Sequence, residues 1–265
     1  MTKPAILRNS IGPTATMKTS ILKRASVVLA GMLVSFSALA AGGGGALQQA
    51  GTDIEDKASL QRGAQLYMNN CVGCHSLKYM RYARIAEDLG LSEDQVMNNL
   101  NFTGAKFGEH VISAMPVALA EKSFGKAPPD LSLIARVRGS DWVYTYLKSF
   151  YLDESRPLGW NNQLFPNASM PNPLWEMQGL QRAVYGKKDA QTGEAPVDRL
   201  EIAQAGTQNA EEFDRTARDI AAFLEYVGEP GALKRQQTGV WVILFLSFFT
   251  LMAWLLKKEY WRDVH

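Results

Sequence analysis

Cys71, Val72, Gly73, Cys74 and His75 include both cysteines of the chain and one of its three histidines. Two thiols three positions apart, followed at once by an imidazole, form the C-x-x-C-H pattern of covalent c-type haem attachment. The spacing suits that chemistry. Thiols at the end of a helix can each close a thioether onto one haem vinyl group, and the next residue then lies beneath the iron as its proximal ligand. Other uses of the motif are poorly supplied. A zinc site needs two more ligands, which His110 and His265 would have to provide from distant parts of the chain. A thioredoxin-like pair lacks the flanking strand-then-helix pattern, and a disulfide across two residues would be strained and would stabilise little. One covalent haem c is therefore the expected cofactor, with His75 as a metal ligand.

A sixth ligand separates an electron carrier from a haem catalyst such as a peroxidase, which needs an open iron. Met and His are the usual candidates. His110 sits in the polar context Gly108-Glu109-His110 and reads as a solvated side chain, while Met68 and Met97 fall in helical segments and read as core. Met115 and Met170 both precede proline, and an extended X-Pro segment suits a loop that presents its side chain to a buried iron. The residues alone leave these two open.

The elements that must position this centre are mainly helical. From Lys57 to Asn70 the residues Leu60, Ala64, Tyr67 and Met68 share one helical face, and Gly63 offers a point of close approach. Ser92 and Gln95 have capping-box spacing ahead of Val96 and Leu100. Asp141 is expected to cap a helix through Trp142, Val143, Tyr146, Leu147 and Phe150. The strongest pattern runs from about Glu211 to Val227, with Asn209 and Glu212 as a capping pair and Gly228 with Pro230 as the stop. Segments 41–45, 123–130, 155–173 and 186–210 read as loops, and no run reads as a convincing strand. Loops this long usually surround something.

Residues 1–40 carry five basic side chains and no acid, then the apolar run Ala25–Ala40 ending in Ala38-Leu39-Ala40, which is the layout of a secretory signal peptide. Met17 begins a better-proportioned leader and is an alternative start. Residues 239–256 are free of charge, have Trp241 and Trp254 near their ends and Lys257-Lys258 just beyond, and read as one transmembrane helix. The leader orients it. Residues 41–238 are expected in the periplasm of a bacterium, 239–256 in the inner membrane, and 257–265 in the cytoplasm. The overall charge of +2 is too small for a nucleic-acid protein, and it averages a basic leader with an exported segment of 20 basic and 24 acidic residues.

Four stretches occur in a fixed order: Cys71-Val-Gly-Cys-His-Ser-Leu-Lys78, Ala127-Pro-Pro-Asp-Leu-Ser-Leu-Ile-Ala-Arg-Val-Arg138, Phe165-Pro-Asn-Ala-Ser-Met-Pro-Asn-Pro-Leu-Trp175 and Asp219-Ile-Ala-Ala-Phe-Leu-Glu-Tyr-Val-Gly-Glu-Pro230. With a terminal anchor, this resembles the cytochrome c1 family, the haem c subunits of the ubiquinol-cytochrome c oxidoreductase (bc1) complex. The resemblance implies a mainly α, class I cytochrome c-like haem domain with long loops plus one C-terminal transmembrane helix. It implies haem attachment at Cys71 and Cys74, His75 and Met170 as the axial pair, and Arg138 rather than Arg136 on a haem propionate. Pro128 and Pro129 would wall the haem, Trp142 would be an aromatic neighbour, and Gly63 and Tyr67 would meet the helix of Phe223 and Tyr226. The implied role is single-electron transfer from a Rieske iron-sulfur protein to a cytochrome c, alongside cytochrome b and membrane lipid, by a subunit that is not an enzyme by itself. Acidic pairs at Glu87-Asp88, Glu93-Asp94 and Asp153-Glu154 are candidate steering charges for a basic partner.

Overall fold

Asp56 accepts from the backbone N–H groups of Ala58 and Ser59, satisfying two donors that a helix start leaves open, and α1 (Lys57–Asn70) has the bounds its periodicity predicts. The computed structural model describes residues 47–188 and 195–263, so the expected leader, residues 1–40, lies outside the described residues. In chain order α1 is followed by β1 (Leu77–Arg81), α2 (Tyr82–Leu89), α3 (Glu93–Asn99), β2 (His110–Val111), α4 (Val117–Phe124), α5 (Ile134–Arg138) and α6 (Ser140–Lys148). Then come β3 (Phe150–Leu152), β4 (Trp160–Asn162), α7 (Trp175–Gln178), β5 (Gly179–Tyr185), β6 (Val197–Ala205), α8 (Ala210–Gly228) and α9 (Ala232–Tyr260).

Both capping boxes read from the sequence are made: Ser92 with Gln95 on α3, and Asn209 with Glu212 on α8. The centre of the core is the crossing of α1 and α8. Gly63 lets the two backbones touch there, since a Cβ on it would lie 2.1 Å from the Asp219 carbonyl oxygen and 2.8 Å from Phe223 Cβ. Tyr67 packs on Phe223 with ring centroids 5.7 Å apart, and Phe223 on Tyr226 at 6.1 Å. Leu60, Tyr67, Ala217, Ile220 and Phe223 are buried around the contact. Truncating any of the large ones to alanine costs about 2–5 kcal/mol. Polar groups lock the same crossing: Ser59 Oγ donates to Asp219 Oδ1 at 2.5 Å, and the Arg62 guanidinium forks onto that carboxylate at 2.6 and 3.0 Å.

The structure departs from the sequence expectations at several places, Phe150 among them, which opens β3 instead of ending α6. Asp141 does not cap α6. Gly139, at φ 93°, makes the tight turn between α5 and α6, and the Asp141 carboxylate instead accepts from the Ala50 N–H at 2.7 Å, pinning the segment ahead of α1 against α6. Segments 155–173 and 186–210 are not only loop, because β4 and β6 lie in them and help build a four-stranded sheet of order β4-β3-β5-β6. β3 pairs antiparallel with β4 and parallel with β5, and β5 with β6 form an antiparallel hairpin interrupted by two register shifts. A strand as exposed and charged as β6, Val-Asp-Arg-Leu-Glu-Ile-Ala-Gln-Ala, carries no alternation for the sequence to show. Lastly, α4 occupies 117–124, where no helix was read, and only its Ala120 is buried.

The sheet reaches back to α6. Its terminal carbonyl at Lys148 accepts from the side-chain amides of Gln178 at 3.0 Å and Gln181 at 2.9 Å, both buried, so an open helix end is capped from β5 and the turn before it. The carboxy-terminal α9 extends the apolar run at both ends. Among the described residues one helix is long and apolar enough to cross a membrane, Lys234–Tyr260; an 18-residue stretch within it has a mean hydropathy of 2.2, and none of that stretch is buried against the protein.

Candidate functional site

The last turn of α1 delivers the cysteines. The N–H groups of Cys71 and Val72 both donate to the Tyr67 carbonyl, at 2.8 and 3.1 Å, and those of Cys74 and His75 then fold back onto the Cys71 carbonyl at 3.1 and 2.8 Å. Tyr67, fully buried, donates its hydroxyl to the His75 carbonyl at 2.8 Å. Ser113 closes the far side, donating its hydroxyl to the Gly73 carbonyl at 2.7 Å. The motif is thus a rigid loop held from three directions.

Its electrostatics disfavour redox chemistry at the sulfurs. Burial pushes the Cys71 thiol up to about 12, with the neighbouring Cys74 adding to it, and burial raises the half-buried Cys74 as well. Reactive C-x-x-C pairs show the opposite, a depressed thiol. His75 is 8% exposed, and burial lowers its pKa against the opposing pull of a hydrogen bond to Pro129, which keeps the ring neutral. Nδ1 lies 2.7 Å from the Pro129 carbonyl oxygen and must donate to it. That fixes the tautomer and leaves the Nε2 lone pair for a metal, the arrangement expected of an imidazole ligand. Among the described residues Nε2 makes no hydrogen bond.

The Pro129 carbonyl is placed by the residues after it. Asp130 accepts from the Lys78 N–H at 2.8 Å and the Ser132 N–H at 3.0 Å, the Ser132 hydroxyl accepts from Tyr79 N–H at 3.1 Å, and the Leu131 N–H donates to the Ser76 carbonyl at 2.9 Å. Residues 129–132 therefore run laced to 76–79. The sequence reading took Pro128 and Pro129 as walls only. Pro128 is half-buried and Pro129 exposed, and the acceptor role of the Pro129 carbonyl was missed, although the Asp-x-Ser that follows carries an Asx-turn signal.

From this segment the chain passes through α5 to a second group of site residues. Arg138 is exposed and holds its guanidinium 5.2 Å from the centre of the Trp142 ring, while its rival Arg136 is paired with Glu229. Trp142 stacks on Tyr146, with centroids 4.9 Å apart and planes 9° off parallel, and meets the edge of Phe165 at 6.4 Å. The Tyr146 hydroxyl lies 3.6 Å from the Met170 sulfur and donates to it. Burial lifts this phenol to about 12, so it remains a donor at neutral pH.

The Met170 loop is firmly held. Asn162, fully buried, donates to the Tyr146 carbonyl at 2.9 Å and accepts from Leu164 and Phe165 N–H groups, each at 3.0 Å. Asn161 accepts from the Asn167 N–H at 2.8 Å, and beyond the methionine Asn172 donates to Gln178 at 2.8 Å. Asn167 itself, at φ 65°, takes the left-handed turn that asparagine tolerates. Met115 lies in the loop ahead of α4, and His110 is half-buried in β2 opposite Arg81 rather than freely solvated. Met97, read as core, is only half-buried, whereas Met68 is 2% exposed.

The site residues thus fall into two groups, Cys71, Cys74, His75 and Pro129 in one, Arg138, Trp142, Tyr146 and Met170 in the other, linked by residues 129–138. They fit a covalent haem c: two protonated thiols, one neutral imidazole with a free nitrogen, one thioether on a fixed loop, and an arginine fork without a protein carboxylate among the described residues.

A sequence-family model described as Cytochrome C1 family matches residues 49–108 and 105–264. A cytochrome c1 of Allochromatium vinosum is 50% identical over 234 residues, 88% of this chain and 96% of that protein. A Nitrosomonas europaea protein named ammonia monooxygenase gamma subunit is 43% identical over 239 residues, 90% of this chain and 97% of that one. A Bradyrhizobium diazoefficiens protein named cytochrome b/c1 is 26% identical over 258 residues, which are 79% of this chain but 34% of the longer protein.

Proposed function

This chain belongs to the cytochrome c1 family, whose members carry a covalently bound haem c and serve as electron-transfer subunits of the bc1 complex, and from that premise we propose the roles of its own residues and its direction of transfer. It takes single electrons from a Rieske iron-sulfur protein and passes them to a cytochrome c. The observation that carries this reading is His75, presented directly after the two thiols with Nδ1 tied to the Pro129 carbonyl and Nε2 free.

When bound, the haem supplies a one-electron ferric/ferrous couple. Cys71 and Cys74 would hold it covalently, and His75 and Met170 would be its donors from the chain. With both donors in place no position would be left for a substrate, and the chain itself would perform no bond chemistry. A thioether paired with an imidazole would favour the reduced state more than two imidazoles would. Arg138 holds a propionate: its fork is permanently charged and planar, and Arg136 is already taken by Glu229. Pro128 and the stacked Trp142 supply apolar surface that keeps water away.

Residues 1–40 act as the export signal, 41–238 form the periplasmic haem domain with the class I cytochrome c arrangement, 239–256 anchor it in the inner membrane, and 257–265 lie in the cytoplasm. Support for the anchor comes from the apolar stretch of α9, which is unburied and has basic residues on both sides, Lys234 and Arg235 before it and Lys257, Lys258 and Arg262 after it. Its orientation rests on the leader. Cytochrome b is the partner in the membrane, a reading supported by the relative named cytochrome b/c1. Mild detergent extraction of the tagged full chain is expected to copurify a cytochrome b and a Rieske protein. Recovery with neither rejects the assignment, and recovery with an ammonia-oxidising complex supports the role in the Nitrosomonas protein's name.

Steering of a basic cytochrome c rests on a smaller acidic set than the sequence suggests. Asp88 has a side chain 8% exposed, is paired with Arg84 and accepts from the Tyr226 hydroxyl. Asp153 is half-buried, where hydrogen bonds from Ser155 and Asn161 hold its carboxyl below the usual range and keep it ionised but less accessible to a partner. Glu87, Glu93, Asp94 and Glu154 remain exposed. Reversing these four to lysine should lower the association rate with a basic cytochrome c by roughly tenfold or more at low salt, with the difference shrinking as salt rises. An unchanged rate at low salt rules the steering out.

A further inference from the structure

Tyr146 is fixed on every side that matters to its hydroxyl. Its ring stacks on Trp142 at 4.9 Å, meets Phe150 edge-on at 5.0 Å, and its carbonyl is gripped by the buried Asn162 at 2.9 Å, so the O–H that reaches the Met170 sulfur at 3.6 Å is aimed by packing. We infer that Tyr146 is a positioning residue for the sixth ligand, holding the Met170 thioether by one lone pair and drawing electron density from it. The inference rests on the reading of Met170 as that ligand.

The physical consequence has a definite sign. A thioether sulfur has two lone pairs and is a weak hydrogen-bond acceptor. With one directed at Tyr146, the other is left for the iron, and its position no longer depends on the loose rotamers of a methionine. Electron density drawn toward the O–H weakens the sulfur as a donor. Ferric iron needs that donation more than ferrous iron does, so the contact favours the reduced state. Hydrogen bonds to a metal's ligands are a general means of tuning its potential.

Tyr146→Phe removes one oxygen and keeps the stacked ring. In the haem-loaded full chain, the thioether-to-ferric charge-transfer absorption should remain, shifted in energy, because Met170 still ligates. The ferrous-to-ferric ratio at a fixed ambient potential should fall by about threefold to tenfold, a tenfold change being a downward shift of ~59 mV for one electron. In a Met170→Leu background the same substitution should add no further shift, since its effect runs through the sulfur. An unchanged potential in Tyr146→Phe overturns the inference, and so does an equal shift in both backgrounds. Met170→Leu alone separates the two levels: if it leaves spectrum and potential unchanged, the ligand assignment itself falls and the role of Tyr146 with it.

Discussion

On the proposed ligation by His75 and Met170, Met170→Leu is expected to leave a haem that binds carbon monoxide when reduced. The thioether charge-transfer absorption of the ferric state should disappear. The midpoint potential should fall by on the order of 100 mV or more, within the roughly 0.8 V that axial ligands command. The substitution isolates ligand chemistry from packing, because leucine and methionine are close in volume and such exchanges usually cost under about 1.5 kcal/mol. The loop also has its own supports, through Asn161, Asn162 and Asn172, and none of them involves the sulfur. Met115→Leu is the control and should change neither spectrum nor potential, since among the described residues Met115 donates its N–H to Ser113 at 3.2 Å and its sulfur accepts from no donor, unlike the Met170 sulfur. A low-spin spectrum and potential that survive Met170→Leu would show that another side chain is the ligand.

The second large effect is on stability, at a position with no chemistry. Alanine in place of a mid-helix glycine normally stabilises a helix by about 1 kcal/mol. At Gly63 the sign reverses. The added methyl would sit 2.1 Å from the Asp219 carbonyl oxygen and 2.8 Å from its carbonyl carbon, and these are backbone atoms of α8 that no rotamer change can clear. The helices must part, and parting loosens the Tyr67–Phe223 contact together with the Ser59 and Arg62 hydrogen bonds to Asp219. A net loss of about 3 kcal/mol is expected, which for a domain of this size lowers the thermal midpoint by roughly 6–12 °C. Gly73→Ala is the matched control within the haem motif. A Cβ there meets nothing within 4 Å, so the midpoint should scarcely move. Thermal unfolding of the two purified variants, followed by circular dichroism, decides the matter, and equal midpoints would mean that the α1–α8 crossing tolerates separation.

The sequence was most informative where structure depends on near neighbours. The C-x-x-C-H motif, the span of α1, the two capping boxes and the apolar run within α9 are written in residues at most a few turns apart. The hydrogen bonds or covalent geometry that define them close locally, so composition and spacing suffice. Even the long-range meeting of Gly63 and Tyr67 with Phe223 could be anticipated, through resemblance to a family that shares it.

Tertiary structure alone decided the partners. Asp141 looked like a helix cap and instead binds Ala50, 91 residues away, because a glycine at φ 93° had already made the turn. Asp88 looked like a surface charge and instead accepts from the buried Tyr226 hydroxyl, 138 residues away. Arg138 is favoured over Arg136 in the sequence only through the resemblance, and the pairing of Arg136 with Glu229, 93 residues away, is visible only in the tertiary structure. The β5–β6 hairpin was invisible because its outer strand is solvated, with no apolar alternation to mark it. Tyr146 read as one more aromatic on a helix face, and its reach to the Met170 sulfur emerged only when α6 and the 163–174 loop were brought together. A side chain's type and spacing determine what chemistry it can do; which group it meets depends on backbone segments far apart in the chain, and their approach is set by the packing of the whole domain.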